Sequence, residues 1–576
     1  MIIDARSLPE NETIETDVCI AGAGVAGITL AREFIGEKFR VCLLESGGLG
    51  PDRVTQSLYW GENVGHPYFP LDLSHTCCFG GSSHRWLVEI GGNRLGVRLR
   101  PLDEIDFEER DWVPYSGWPF KKSHLDPYYE RAQSVCKIGP FTYDVKDWED
   151  LEKTPRLPFL NDRVKTTIFQ FGSRDIFIDD YRDEITRANN ITTYIYANVV
   201  EIETTETAQT LTRLRVACLQ GKKFWVSAKL FILAMGAIET PRLLLLSNKI
   251  QNTGLGNKND LVGRFFMEHP HLWSGIYMPS DTNIINSTAL YRIHKVNKVP
   301  IMGKLTLSEG VLRREKLLNY CTSIHPSALL RRPNVGPAGW HMVSWPLLSY
   351  IRPKALPVWS NYQKTASKGI NSFKVLRSAI RDGDMPEDLS KHLKNMITDF
   401  DEIAITAYKK VTRKYGHIFN KFKKSKKNVV FRLNHMTEQA PNPNSRVTLA
   451  GERDVLGRNR VCLDWQLSSI DIHSIIRAQE IIDEELRRAG LGWLETELND
   501  DTPPPKLEGG WHHMGTTRMH IDPKKGVVDE NCKVHGISNL FIAGPSVFPT
   551  GGYANPVLTT VCLAVRLADH LEKLMT

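Results

Sequence analysis

Two hydrophobic periods alternate along this chain of 576 residues. Apolar residues run together over 16–20, a glycine-rich turn follows over 22–27, helical spacing occupies 28–35, and a second apolar run covers 39–44. That succession predicts a βαβ unit. Strand-like alternation returns at 192–203, 211–218, 223–227 and 229–234, the last running into Gly236 and a helix over 239–247. Residues 270–350 read as irregular and β-like, and 361–415 as polar and helical. Strands are expected again over 429–467, broken by PNPNSR at 441–446, before an amphipathic helix over 470–489. No internal repeat is visible. The expected class is α/β, or α+β over the whole chain: a Rossmann-like nucleotide-binding lobe, discontinuous in sequence, with an inserted substrate lobe built on a β-sheet flanked by helices.

Length adds that one hydrophobic core cannot serve the whole chain, so two or more lobes are expected. A formal charge of +7 is too mild to indicate a nucleic-acid partner. Much of the excess sits at 409–427, which holds nine Lys or Arg and no acid; it reads as a solvated face, with a docking patch as the alternative. The ten cysteines form no C-x-x-C pair and no zinc-spaced cluster, which points to reduced, buried thiols and to no metal site. The first residues lack the basic and apolar pattern of a secretory signal, and no run is long enough for a membrane span. A cytoplasmic location is therefore expected.

The turn carries chemistry. Gly22, Gly24 and Gly27 form G-x-G-x-x-G between strand and helix, and Glu45 ends the next strand 21 residues after Gly24. The glycines let backbone approach a pyrophosphate at a helix N-terminus, while Glu45 suits ribose hydroxyls and would repel a 2′-phosphate. Glycines that merely turn the chain are the bland alternative. FAD and NAD are not separated by this motif.

Three further blocks resemble the glucose-methanol-choline (GMC) flavoprotein oxidoreductases. They are Phe79-Gly80-Gly81-Ser82-Ser83-His84-Arg85-Trp86, Ala234-Met235-Gly236-Ala237-Ile238-Glu239-Thr240-Pro241-Arg242, and the tail from Trp511 onward. Residues 112–129 and 438–446 are similar to the branch holding fructose, sorbose and gluconate dehydrogenases and pyranose oxidases. The resemblance implies FAD, with 1–110, 190–270 and 509–576 as the FAD-binding domain. The substrate domain then comprises 111–189 and 271–508, with a helical and basic insertion at about 355–428. Gly80, Gly81, Ser82 and Ser83 match the loop beside the pyrophosphate and isoalloxazine, and Ala234 and Gly236 the block near the adenosine. Ser46, Val199, Ala543, Gly544, Asn555 and Pro556 complete the cofactor set. Pyranose oxidases attach FAD to a His immediately before the tryptophan of the first block; here that slot is Arg85, which implies noncovalent FAD.

The same resemblance places catalysis in the tail. His512 matches the catalytic histidine, and Asn555 the partner that is His or Asn in this family. His513 is the rival base, because adjacent residues of an extended segment face opposite ways. Asn555 has a structural alternative as a helix N-cap ahead of Pro556. His75, His269 and His271 are assigned nothing. The reaction implied is oxidation of an alcohol, a secondary hydroxyl of a sugar, glycoside or polyol, by hydride transfer to flavin N5 with histidine as base. The electron acceptor is open between oxygen, a quinone and a protein. Alternatives are a sterol, aliphatic or aryl alcohol, an unusual flavin reaction, or a non-catalytic nucleotide-binding accessory subunit.

Overall fold

The computed structural model describes residues 1–281, 284, 288–328, 429–496, 498 and 507–575. The polar helical segment expected over 361–415, the insertion at 355–428 and the basic stretch at 409–427 lie outside the described residues.

The short apolar runs become a six-stranded parallel sheet in the order Ile2–Asp4, Ile191–Ile195, Val41–Leu44, Val18–Ala21, Leu230–Leu233, Leu540–Ile542. Val18–Ala21 and Val41–Leu44 are buried at every position, as strands covered on both faces must be. Val25–Glu33 is the crossover helix between them. The strand nearest the C-terminus closes one edge, and the final helix, Val557–Met575, packs back on Val25–Glu33 and on Lys122–Val135. The two extremities of the chain thus share one sheet and one core. The α/β class with a Rossmann-like lobe, as read from the sequence, is the one observed.

One expected strand is two. Over 192–203 the chain breaks at Tyr196, which takes a left-handed conformation (φ 59°). Tyr196 N–H donates to the Gly47 carbonyl and Ala197 N–H to that of Glu45. Ile191–Ile195 stays in the parallel sheet, whereas Asn198–Thr204 starts a separate sheet with Leu211–Ala217, Lys223–Ser227 and Thr13–Glu15. The helix expected at 239–247 begins earlier, as Gly236–Leu246.

A third, nine-stranded sheet runs Gly492–Glu495, His271–Pro279, Val429–Thr437, Tyr320–Ala328, Val299–Leu307, Val164–Ser173, Leu95–Leu99, Val88–Glu89, with His294–Val296 added on Val299–Leu307. Helix Ser469–Arg488 is fixed at its start by a capping box between Ser468 and Asp471, and Asp471 also accepts the Ala440 N–H at 2.7 Å. All ten cysteines are free thiols, and all but Cys462 are buried. No helix among the described residues is long and apolar enough to cross a membrane.

The Arg110 guanidinium grips the Glu438 carboxylate bidentately, with neither side chain exposed. Glu438 also accepts the Asn319 N–H at 2.9 Å, and the Asn319 amide donates to Asp106. Removing one charge of such a pair strands the other in a dry interior. Glu438→Gln is therefore expected to cost about 3–5 kcal/mol in urea unfolding; a loss below about 1 kcal/mol would contradict this assignment.

Candidate active site

A cavity of about 320 Å³ opens at the carboxyl ends of the parallel strands, where such sheets place their ligands. Its first wall is the glycine turn. Gly22 sits at φ +108°, and a Cβ there would lie 2.6 Å from the Ala234 carbonyl oxygen. A Cβ on Gly27 would lie 1.9 Å from the Gly22 carbonyl oxygen, so this glycine lets helix and strand pack rather than lining the cavity. Gly24 faces open space at the start of helix Val25–Glu33, with no side chain capping the first N–H groups. Glu45 lines the wall beside Ser46 while accepting N–H groups of Ala23 (3.0 Å) and Gly47 (2.8 Å).

The second block forms the next wall. Gly81, Ser82 and Ser83 line the cavity, whereas Gly80 stands behind them, its N–H donating to the Ala23 carbonyl at 2.8 Å. Val199, Ala234 and Gly236 border the cavity from the strand ends, and Ala543, Gly544, Asn555 and Pro556 from the tail. Arg85 borders it too, with its Nε bound to Thr76 Oγ1. His84 does not; its ring nitrogen bonds the Phe79 carbonyl at 3.0 Å.

His512, His513 and His271 sit on the lining. Asn555 Nδ2 lies 2.8 Å from His512 Nε2, so this side chain is engaged with the histidine rather than serving as a cap. His512 Nδ1 lies 2.9 Å from His269 Nδ1, and His269 Nε2 lies 3.3 Å from the Gly551 carbonyl. One assignment of protons satisfies the whole chain: His269 Nε2–H to Gly551, His512 Nδ1–H to His269, and Asn555 N–H to the free lone pair of His512 Nε2. Burial holds His512 and His513 well below the usual histidine range, and His269 at about 4, so all three rings are neutral at pH 7. His513 Nε2 instead contacts the Tyr68 hydroxyl at 2.8 Å, and that hydroxyl donates to Glu268.

A family model described as GMC oxidoreductase matches residues 441–564. The 2-methyl-1,2-propanediol dehydrogenase of Mycolicibacterium austroafricanum is 34% identical over 97% of this chain and 95% of its own. The fructose dehydrogenase large subunit of Gluconobacter japonicus is 22% identical over 97% of this chain and 98% of its own. A C-glycoside 3-oxidase of Microbacterium trichothecenolyticum is 35% identical over 21% of this chain and 23% of its own. The chain belongs to the GMC oxidoreductase family. It is an oxidoreductase of the kind that acts on alcohols or sugars.

GMC oxidoreductases are FAD flavoproteins, and the residues of this one fit that cofactor. The walls at Gly22 and Gly81 admit no side chain without collision or strain, since Gly81 sits at φ +52° with a Cβ position 3.1 Å from Gly24 Cα. Unclaimed N–H groups at a helix start suit a pyrophosphate. Asn555 Oδ1 is buried with no partner, an acceptor that calls for a donor from whatever fills the cavity.

The structure also brings to the GMC site residues that sequence reading passed over. Glu268 is fully buried, and its Oε2 accepts N–H groups of His269 (3.1 Å), Gly510 (3.0 Å) and His512 (2.9 Å). It ties the segment before the nine-stranded sheet to the tail. The available signal was composition: Glu268, His269 and His271 crowd into four residues directly after the apolar Phe265-Phe266-Met267.

Burial pushes the Glu268 carboxyl up to about 7 from an ordinary 4.5. The folded state therefore binds the proton more tightly than the unfolded chain, and the associated stability is complete below pH 4.5 and lost as pH rises through 7. Glu268→Gln removes that titration. The wild type is expected to lose about 3 kcal/mol relative to the variant across this window in pH-resolved urea unfolding; parallel curves would contradict it.

Proposed function

We propose that this GMC oxidoreductase oxidises an alcohol to a carbonyl, the alcohol being a secondary hydroxyl of a sugar, glycoside or polyol. FAD, when bound, supplies the hydride acceptor. The chain supplies the base and the positioning. His512 receives the hydroxyl proton at Nε2, whose lone pair is turned toward Asn555 because Nδ1–H is committed to His269. When substrate enters, the Asn555 N–H passes from Nε2 to the substrate oxygen and the hydroxyl takes its place against Nε2, which converts encounter into orientation. As positive charge forms on His512, its Nδ1–H bond to His269 strengthens.

The observation that carries this reading is the 2.8 Å contact between His512 Nε2 and Asn555 Nδ2 on the cavity lining. His513 is the weaker choice of base, since its Nε2 donates to Tyr68, whose hydroxyl is already given to Glu268. The first turn of Val557–Met575 adds a helix dipole that favours negative charge developing in the cavity. The cofactor is held noncovalently in this reading, with Arg85 in the slot before Trp86 and His84 turned to Phe79. Similarity along the whole chain to a protein named for 2-methyl-1,2-propanediol supports a second substrate class, an aliphatic diol.

His512→Ala is expected to keep the yellow flavin spectrum and to slow anaerobic bleaching by substrate roughly 10²–10⁴-fold. A comparable loss in His513→Ala, with His512→Ala active, would reverse the assignment. The substrates to screen are sugars, glycosides and short diols. Acid precipitation of the same protein is expected to leave a colourless pellet and a yellow supernatant; a yellow pellet would mean a covalent link.

A further inference from the structure

The nine-stranded sheet turns one face toward the catalytic tail. Register fixes its membership. Lys304 pairs with Thr167, Met302 with Phe169, Arg98 with Phe171, and Thr306 with Cys321. Partners directly opposite, and residues two apart, share a face. Lys304, Arg98, Phe169, Cys321, Ser323 and His325 therefore stand together. The Tyr553 hydroxyl, two residues before Asn555, lies 3.2 Å from Thr167 Oγ1, and its ring packs on Phe169. The His271 ring lies 6.0 Å from that of His512, and both His271 and Arg98 line the cavity.

The charge of Lys304 is unanswered on this face among the described residues. Lys304 is completely buried, and no carboxylate pairs with it among the described residues. Among the described residues its Nζ reaches the Cys321 sulfur, at 3.7 Å, and the face of Phe169, at 4.8 Å. Cys321 is no counter-ion, because burial raises its thiol. Burial above all, and then the nearby positive charges of Lys304 and Arg98, hold His271 and His325 below the usual histidine range. Two buried polar atoms nearby have no partner: Ser323 Oγ on the same face, and His271 Nε2 at the cavity lining. Burial lowers the Lys304 amine only to about 8, so it stays mostly protonated at neutral pH. A buried cation without a counter-charge is costly, and so is a buried hydroxyl without a partner. A neutral sugar would relieve only the second.

We propose that this face recognises an anionic group carried by the alcohol substrate, a carboxylate or a phosphate, with Lys304 as its counter-charge and Ser323 as a hydrogen-bond donor beside it. The proposal rests on the reading of the cavity as an alcohol-oxidising site, and it narrows the substrate class to hydroxy acids or phosphorylated polyols. Lys304 and Ser323 are specificity residues here; the proton still goes to His512.

The test is calorimetric binding to the flavin-loaded protein of D-glucuronate against glucose, and of glycerol 3-phosphate against glycerol. At least one anion is expected to bind roughly tenfold or more tightly than its neutral counterpart, and the pair that shows it separates carboxylate from phosphate. Lys304→Met is expected to erase the preference and Lys304→Arg to retain most of it. Ser323→Ala, a milder change, is expected to weaken the anion more than the neutral ligand. Equal binding of anion and neutral counterpart to the wild type, or a preference untouched by both Lys304→Met and Ser323→Ala, would overturn the proposal. Anaerobic bleaching with the same four compounds is read separately. An anion preference governed by Lys304, without bleaching by any alcohol, would leave the anion site standing and defeat the oxidation reading instead.

Discussion

Backbone approaches backbone at Gly22 and Gly27 more closely than any side chain permits, and the rest of the site is arranged around that contact. A methyl on Gly27 would fall 1.9 Å from the Gly22 carbonyl, so the first strand and its helix can meet only as glycines. Because they meet, the helix start with its unclaimed N–H groups faces the strand ends, and Gly24 leaves room in front of it. The tail completes the enclosure. Leu540–Ile542 joins the same sheet, Ala543 and Gly544 follow at the cavity wall, and Asn555 and Pro556 lead into a helix packed on the one that the glycines position.

A second constraint orders the histidines on the cavity lining. Glu268 draws three backbone N–H groups and the Tyr68 hydroxyl onto one buried carboxyl, which fixes the backbone of His512 and commits His513 to Tyr68. His269 takes the outer nitrogen of His512, leaving the inner one toward Asn555. Local spacing alone does not separate the two histidines, and only the resemblance favours His512. The distinction comes from which partner each ring finds across the tertiary structure.

Features encoded by local backbone requirements were legible in the sequence. G-x-G-x-x-G with Glu45 at the end of the following strand predicts the cradle because each residue answers to its own turn or strand end. His512 and Asn555 were legible by resemblance, being part of long matched blocks. Glu268, His269 and His271 were not, since their roles depend on contacts with a tail some 240 residues later, as in Glu268 with Gly510, 242 residues apart. The break at Tyr196 was hidden for a related reason: a non-glycine residue adopts a positive φ there because Gly47 and Glu45 accept the adjoining N–H groups. Residues 88–99 gave no sign that they extend the nine-stranded sheet, as strand pairing is non-local and alternation alone names no partner.

The most direct measurement is a crystal structure of the protein with its flavin. The isoalloxazine is expected at the end of the cavity bounded by His512 and Asn555, in contact with both side chains, with the pyrophosphate at Gly22–Val25. A ring system placed away from His512 and Asn555, or a dinucleotide whose phosphates avoid the glycine turn, would contradict the arrangement derived above.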